Sequence, residues 1–97
     1  MYIRALAAEG FSINYLLSDG SNRNILHVAI QLGGEPNMVR TLVECGVNLN
    51  HTTTQGETPL HYAKLNNQPL VFEYLVGMGA DRSIRDFNGA TADELVL

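Results

Sequence analysis

Residues 56–63 of the chain read Gly-Glu-Thr-Pro-Leu-His-Tyr-Ala, and the fold prediction rests mainly on these eight residues. Thr58 is a residue type that commonly caps helix N-termini. Pro59 suits the first helical position, where its missing N–H removes no hydrogen bond. Leu60 and Ala63 then continue an apolar face at helical spacing. The stretch therefore predicts the start of a short, buried helix.

A second copy of this pattern lies about one-third of the chain earlier. Residues 24–29, Asn-Ile-Leu-His-Val-Ala, align on it with His27 over His61, and Gly46 and Gly79 are 33 residues apart. A period of this length is typical of repeat proteins, in which each unit buries its apolar face against its neighbours. The sequence therefore predicts a stacked array rather than a single globular core.

Each unit has the same predicted order of elements. Apolar residues at helical spacing predict a second helix over 38–45 and over 70–78. A glycine follows each helix at the usual position of a left-handed C-cap. The segment beyond it is rich in turn residues, and Asn88-Gly89 predicts a two-residue hairpin turn.

Residues 56–81 resemble an ankyrin repeat, because they match the Thr-Pro-Leu-His-x-Ala signature and the apolar helix ending in Gly-Ala-Asp. The resemblance implies an all-α solenoid of stacked helix–turn–helix units joined by hairpin loops. Thr53 stands where the family usually has Asp, which predicts a less rigid loop tip. The resemblance also divides one domain, 1–97, into a partial repeat with a long loop (1–20), repeats at 21–52 and 53–85, and a truncated repeat at 86–97. We expect this to be a fragment of a longer protein.

His27 and His61 are the first candidates for chemistry, as a metal pair or a general base. Equivalent side chains on adjacent packed helices lie about 10 Å apart. That distance is too long to share a zinc ion, and no third ligand has suitable spacing. The alternative, which the ankyrin resemblance implies, is that each imidazole hydrogen-bonds the backbone of a neighbouring loop.

The other candidates for catalysis are weak. Cys45 falls at the end of a predicted helix, where the helix dipole disfavours a thiolate. Asp93 and Glu94 suit the start of a helix for the same electrostatic reason. No glycine-rich stretch has the spacing of a phosphate loop. The sequence therefore predicts no enzyme activity, no catalytic residue, no cofactor and no metal site.

The net charge indicates which classes of partner are disfavoured, and the cysteine content indicates the cellular compartment. The 97 residues carry a net charge of −4, with six Lys and Arg against ten Asp and Glu, and this disfavours nucleic acid and anionic membranes. The single cysteine, Cys45, excludes an internal disulfide and indicates a reducing, cytoplasmic location. No apolar run approaches the ~20 residues of a membrane span. We expect a monomer that binds a protein partner.

The ankyrin resemblance assigns partner binding to the hairpin tips and to the exposed face of the inner helices. Mapped onto this chain, these positions are Ser21, Arg23, Gln31, Thr54, Gln55, Glu57, Leu65, Asn66, Arg85, Phe87 and Asn88.

Two features of this surface carry specific hypotheses. An aromatic residue at a loop tip is a typical interface anchor, and Phe87 is such a residue. The alternative is that Phe87 packs on its own hairpin or against Tyr62, and both interpretations stay open. Arg23, Arg82 and Arg85 predict a mild basic patch on the loop side, suited to an acidic partner.

A narrower resemblance concerns the parent protein. The loop after Gly10 is longer than the loop after Gly46 and carries Ile-Asn-Tyr-Leu-Leu at 13–17. This loop is similar to that of the ankyrin segment in Arf GTPase-activating proteins of the centaurin type. The similarity implies an accessory segment that positions a catalytic domain outside this chain. A Cys-x-x-Cys zinc pattern upstream would support this alternative. A purely structural spacer in a long array is a third alternative.

Overall fold

The computed structural model describes residues 20–95. Within this range lie four α-helices and one 3-10 helix: α1 (Ile25–Gln31), α2 (Pro36–Glu44), α3 (Pro59–Leu65), α4 (Pro69–Gly77) and the 3-10 helix Ala92–Glu94. The predicted partial repeat and its long first loop fall almost entirely outside the described residues.

The two N-caps close the inner helices α1 and α3 in the same way. The side-chain oxygens of Asn24 and Thr58 accept from the backbone N–H of His27 and His61, at 3.1 and 3.3 Å. In return, the imidazole Nδ1 of each histidine accepts from the backbone N–H of its cap residue, at 3.3 and 3.0 Å. This is a capping box in which histidine takes the place of the usual Glu or Gln.

The second helices begin slightly earlier than predicted. They start at Pro36 and Pro69 rather than near residues 38 and 70. Proline is favoured at this first position because its ring already has the helical φ. In α2, the carboxylate of Glu35 also caps the helix, accepting from two backbone amides at 3.2 and 2.8 Å.

Aliphatic side chains of all four α-helices form one continuous core. The inner helix α1 packs against α3, which packs against the 3-10 helix, and α2 and α4 pack on the inner helix of their own repeat. Ala63 has no exposed surface, and this small side chain lets adjacent inner helices approach. The largest fully buried aliphatic side chains are Leu26, Ile30, Leu42, Leu60 and Leu75.

We expect Thr58→Ala to lower the free energy of unfolding by about 1–2 kcal/mol, because the cap and its buried hydrogen bonds are lost. Urea unfolding followed by circular dichroism measures this loss. The matched control is Thr54→Ala, since Thr54 is exposed and its described hydrogen bond uses only the backbone. Equal losses in the two variants would contradict the capping role.

The last hairpin turn differs from the predicted two-residue turn. Gly89 N donates to the carbonyl of Asp86 at 2.9 Å, so the central residues of the turn are Phe87 and Asn88. Gly89 has a φ of +85°, whereas Asn88 is not among the residues with positive φ. A two-residue type I′ turn would need positive φ at both central residues. The Asp86 carboxylate selects the observed turn, because Oδ1 accepts from the amides of Asn88 and Ala90 at 2.9 and 3.0 Å.

Candidate protein-binding surface

The three hairpin tips are joined by backbone hydrogen bonds. Thr54 N donates to Ser21 O at 2.9 Å, and Phe87 N donates to Gln55 O at 3.0 Å. Each tip is thereby placed beside the tip of the preceding repeat. The structure therefore brings the tip residues predicted from different repeats into one row, which we call the tip row (residues 21–23, 54–57 and 85–88).

One side chain organises each of the last two tips. Thr53 Oγ1 accepts from the amides of Gln55 and Glu57 at 3.2 and 3.3 Å. Asp86 lies 33 residues later and accepts from the two equivalent amides with shorter distances. Charged acceptors make shorter and stronger hydrogen bonds than neutral hydroxyls. The geometry is consistent with the hypothesis that the Thr53 tip is the less rigid one, which stays a prediction.

The two signature histidines connect neighbouring repeats. His27 Nε2 lies 2.9 Å from Glu57 O, and His61 Nε2 lies 2.9 Å from Ala90 O. Because a carbonyl only accepts, Nε2 carries the proton in each ring and Nδ1 is free to accept from the helix cap. The prediction that each imidazole hydrogen-bonds the backbone of a neighbouring loop is confirmed. We call these two contacts the histidine braces. Within residues 20–95, no group of three His, Cys, Asp or Glu side chains is placed to hold a metal ion.

His27 is in an unusual electrostatic environment. Its side chain is fully buried, and burial lowers its pKa from 6.5 to about 4, although the bond to the Glu57 carbonyl acts in the opposite direction. The Tyr62 ring meets the imidazole edge-on, with 4.7 Å between ring centroids. His27 is therefore neutral at physiological pH and acts as a structural donor.

His51 is a further brace that the sequence analysis did not identify. Its Nε2 donates to Asn22 O at 2.8 Å, and Asn22 Nδ2 donates to Thr52 O at 2.9 Å. These two bonds attach the first tip to the loop that precedes the second. His51 has no counterpart in the repeated signature, so no pattern in the sequence could have identified it.

The predicted basic patch is largely neutralised in the structure. Arg82 makes a bidentate pair with the Asp93 carboxylate at 3.0 and 2.7 Å. Arg85 pairs with Glu94 at 2.9 Å and also donates to a tip carbonyl. The hydrogen bond from Arg82 lowers the pKa of Asp93. The patch hypothesis was wrong for these two arginines because the 3-10 helix carries a carboxylate opposite each of them.

The predicted binding residues differ in their accessibility. Ser21, Arg23 and Glu57 are half-buried. The guanidinium of Arg23 donates to Ser21 Oγ and to Gln31 Oε1, so these three residues of the first repeat are in contact. The exposed members of the set are Gln31, Thr54, Gln55, Leu65, Asn66, Arg85, Phe87 and Asn88.

Phe87 is the most exposed aromatic side chain described, with 76% of its surface accessible. Its ring lies against Gly56 of the neighbouring tip, where a Cβ on the glycine would come within 2.6 Å of the ring. Tyr62, the other proposed support for the ring, contacts His27, and no ring contact between Phe87 and Tyr62 is found among residues 20–95. With so much of it exposed, the Phe87 ring is not packed into its own hairpin either. One side of the Phe87 ring therefore contacts the preceding tip, and the rest of the ring is exposed to solvent.

We expect Gly56→Ala to destabilise the protein more than Gly89→Ala. Both glycines have positive φ, +78° and +85°, so a side chain at either position costs about 1 kcal/mol. Only at Gly56 would the new Cβ also meet the Phe87 ring and its backbone nitrogen. Urea unfolding should show a loss larger by about 1 kcal/mol for the Gly56 variant. Equal losses would mean that the tips are not in this close contact.

The sequence of this chain is similar to those of known repeat proteins. The family model described as ankyrin repeats (3 copies) matches residues 2–86. Ankyrin repeat protein L271 of Acanthamoeba polyphaga mimivirus is 43% identical over 54 residues, covering 56% of this chain and 7% of that protein. Protein phosphatase 1 regulatory subunit 27 of Homo sapiens is 34% identical over 71 residues, covering 73% of this chain and 46% of that protein. The chain thus spans less than half the length of these relatives.

A solved structure has the same fold. The crystal structure of the ankyrin repeat domain of Bcl-3, described as a unique member of the IkappaB protein family, superposes with a TM-score of 0.88. The match has 26% sequence identity and covers 95% of this chain and 40% of that one. It confirms the predicted all-α solenoid. None of the helices within residues 20–95 combines the length and the hydropathy that a membrane-spanning segment requires.

Proposed function

Because the chain belongs to the ankyrin repeat family, we propose that it binds a partner protein through the tip row and the exposed faces of α1 and α3. The observation that carries this proposal is the backbone bonding between tips, which joins side chains of separate repeats into one surface. A relative named as a regulatory subunit of protein phosphatase 1 supports a role in protein recognition.

The tip row has the physical properties of a preorganised interface. Its backbone is held by tip-to-tip bonds and by the histidine braces, so little conformational entropy is lost on binding. Phe87 supplies a large apolar anchor, and the exposed polar residues Gln55, Arg85 and Asn88 belong to the same tip row. An aromatic anchor within a polar rim is the usual anatomy of an interface hot spot.

We expect Phe87→Ala to weaken partner binding at least about tenfold, because a central aromatic anchor commonly contributes more than about 1.4 kcal/mol. Affinity purification with the wild-type chain would identify the partner, and calorimetry with the purified partner would measure the change in Kd. The control is Glu73→Ala, because Glu73 is exposed on α4, away from the tip row. Unchanged affinity in the Phe87 variant, or a similar loss in the control, would place the interface elsewhere.

We also infer that the segment is not itself catalytic. Both signature imidazoles are committed to backbone hydrogen bonds, and no group of three His, Cys, Asp or Glu side chains among the described residues is placed to hold a metal ion. The accessory role beside an Arf GTPase-activating domain remains a prediction, which the relatives reported above do not support. A cytoplasmic location and a monomeric state also remain predictions from composition.

The division into units 21–52, 53–85 and 86–97 is part of the same proposal. The tip-to-tip bonds and the histidine contacts recur with the period that this division predicts. The two tip-bond donors, Thr54 and Phe87, are 33 residues apart, and so are the carbonyls of Glu57 and Ala90 that accept the histidine braces. Limited proteolysis would test whether 1–97 behaves as one folded unit.

A further inference from the structure

A groove of about 200 Å³ lies between the outer helices α2 and α4, and no residue of the tip row lines it. It exists because α2 and α4 pack mainly on their own inner helices and not on each other. The residues that line it are Pro36, Val39, Arg40, Leu70, Val71 and Tyr74.

The groove is apolar and open to solvent. Val39 and Val71 are 1% and 5% exposed and belong to the core, whereas Leu70, at the second position of α4, is 79% exposed. Leu70 is contiguous with the apolar lining of the groove, and contiguous exposed apolar patches mark interaction sites. The volume is below the roughly 300–1,000 Å³ of small-molecule pockets, and therefore suits a single side chain.

The charge at the groove is positive. Arg40 is the one charged residue that lines it, is exposed, and makes no hydrogen bond or ion pair with any residue in 20–95. The nearby carboxylate of Glu35 is occupied by backbone amides at the start of α2. The hydroxyl of Tyr74 likewise has no hydrogen-bond partner among the described residues. An unpaired guanidinium beside a phenol can bind a carboxylate through two or more hydrogen bonds.

We propose that this groove binds a segment of a partner protein that carries one large apolar side chain next to an Asp or Glu. The apolar side chain lies over Val39 and Val71 beside Leu70. The carboxylate pairs with Arg40. This outer-helix site is separate from the tip row, so the domain can hold two protein segments at once.

Selection from a displayed random-peptide library against the chain, in parallel with Arg40→Gln, tests the proposal. The wild type should enrich peptides with Asp or Glu adjacent to Leu, Phe or Met, and the variant should not. A synthetic peptide of the enriched sequence should bind Arg40→Gln and Leu70→Ser at least about tenfold more weakly than the wild type. Its affinity should also fall as salt is raised, and NMR shifts should concentrate at Val39 and Val71.

Phe87→Ala is the matched control that separates this site from the tip row, and it should bind the peptide as the wild type does. Both groove substitutions are at exposed positions, so their thermal unfolding should be close to that of the wild type. The proposal is overturned if no such sequence is enriched, if Arg40→Gln binds equally well, or if Phe87→Ala abolishes binding. It is also overturned if the chain sediments with phosphatidylserine–phosphatidylcholine vesicles through Arg40 and Leu70 while no peptide binds.

Discussion

Replacement of His61 by alanine is expected to lower the free energy of unfolding by about 3–4 kcal/mol, a large part of the stability of so small a domain. The imidazole is 1% exposed, and its removal leaves a buried cavity. It also leaves the Thr58 amide without its partner and removes one of the two hydrogen bonds that the Ala90 carbonyl accepts, the other being from the Asp86 amide. Each buried unsatisfied polar group costs about 1–3 kcal/mol. Urea unfolding followed by circular dichroism measures the loss.

His51→Ala is the matched control for this prediction. His51 is only half-buried, and its described hydrogen bond is to the Asn22 carbonyl, which water can reach more easily. We expect a loss of about 1 kcal/mol. If the His61 variant lost no more than the His51 variant, the imidazole at position 61 would be filling space and not joining two repeats.

The same brace connects stability to the proposed binding surface. The carbonyls that accept from His27 and His61 belong to Glu57 and Ala90, each two residues beyond an exposed tip residue. Loosening either carbonyl would therefore loosen the adjacent tip. A substitution that contacts no partner can in this way reduce affinity, because the tip must then be ordered at the moment of binding.

The helices could be predicted from the sequence because their causes are local, whereas the braces, which join residues of neighbouring repeats, could be predicted because the histidine recurs and the ankyrin resemblance implies this contact. Thr58 and Pro59 specify a helix start by their own chemistry, and the recurrence of the histidine at the repeat period indicates a structural role. The C-caps follow from glycine in the same way. The helix starts and the C-caps depend on residues within one turn of each other, which a single sequence displays directly.

Other features depend on contacts between residues far apart in the chain. The turn at Phe87 and Asn88 was missed because the buried Asp86 carboxylate, not the Asn-Gly pair, selects the turn type. The contact between the Phe87 ring and Gly56 forms only when the tips of two repeats are stacked, so neither tip predicts it alone. Gln68, whose side chain donates to Ile30 O at 2.9 Å across the repeat boundary, has no signature in the sequence. The groove between α2 and α4 appears only once the packing of the outer helices is known.

Acidification from pH 7 to pH 4 is expected to remove roughly 3 kcal/mol of stability through His27 alone. Burial holds the pKa of this imidazole near 4 in the folded protein, against 6.5 for an ordinary histidine. Between these values the unfolded chain binds a proton that the folded chain does not bind. The free energy of unfolding therefore has its full value above pH 6.5 and falls as the pH drops towards 4. Urea unfolding at a series of pH values measures the slope.

Charged and titratable groups around His27 also lower its pKa. The His51 ring, Arg23 and His61 each disfavour a positive charge on the imidazole, and the Glu57 carbonyl favours it. Asp93, whose pKa is lowered by Arg82, stays ionised through this window and loses its contribution only at lower pH. His27→Gln should therefore abolish most of the slope between pH 6.5 and 4, while His51→Gln should retain it. NMR titration of the His27 ring in the wild type provides an independent check, because a midpoint near 6.5 would show that burial does not exclude the charged form.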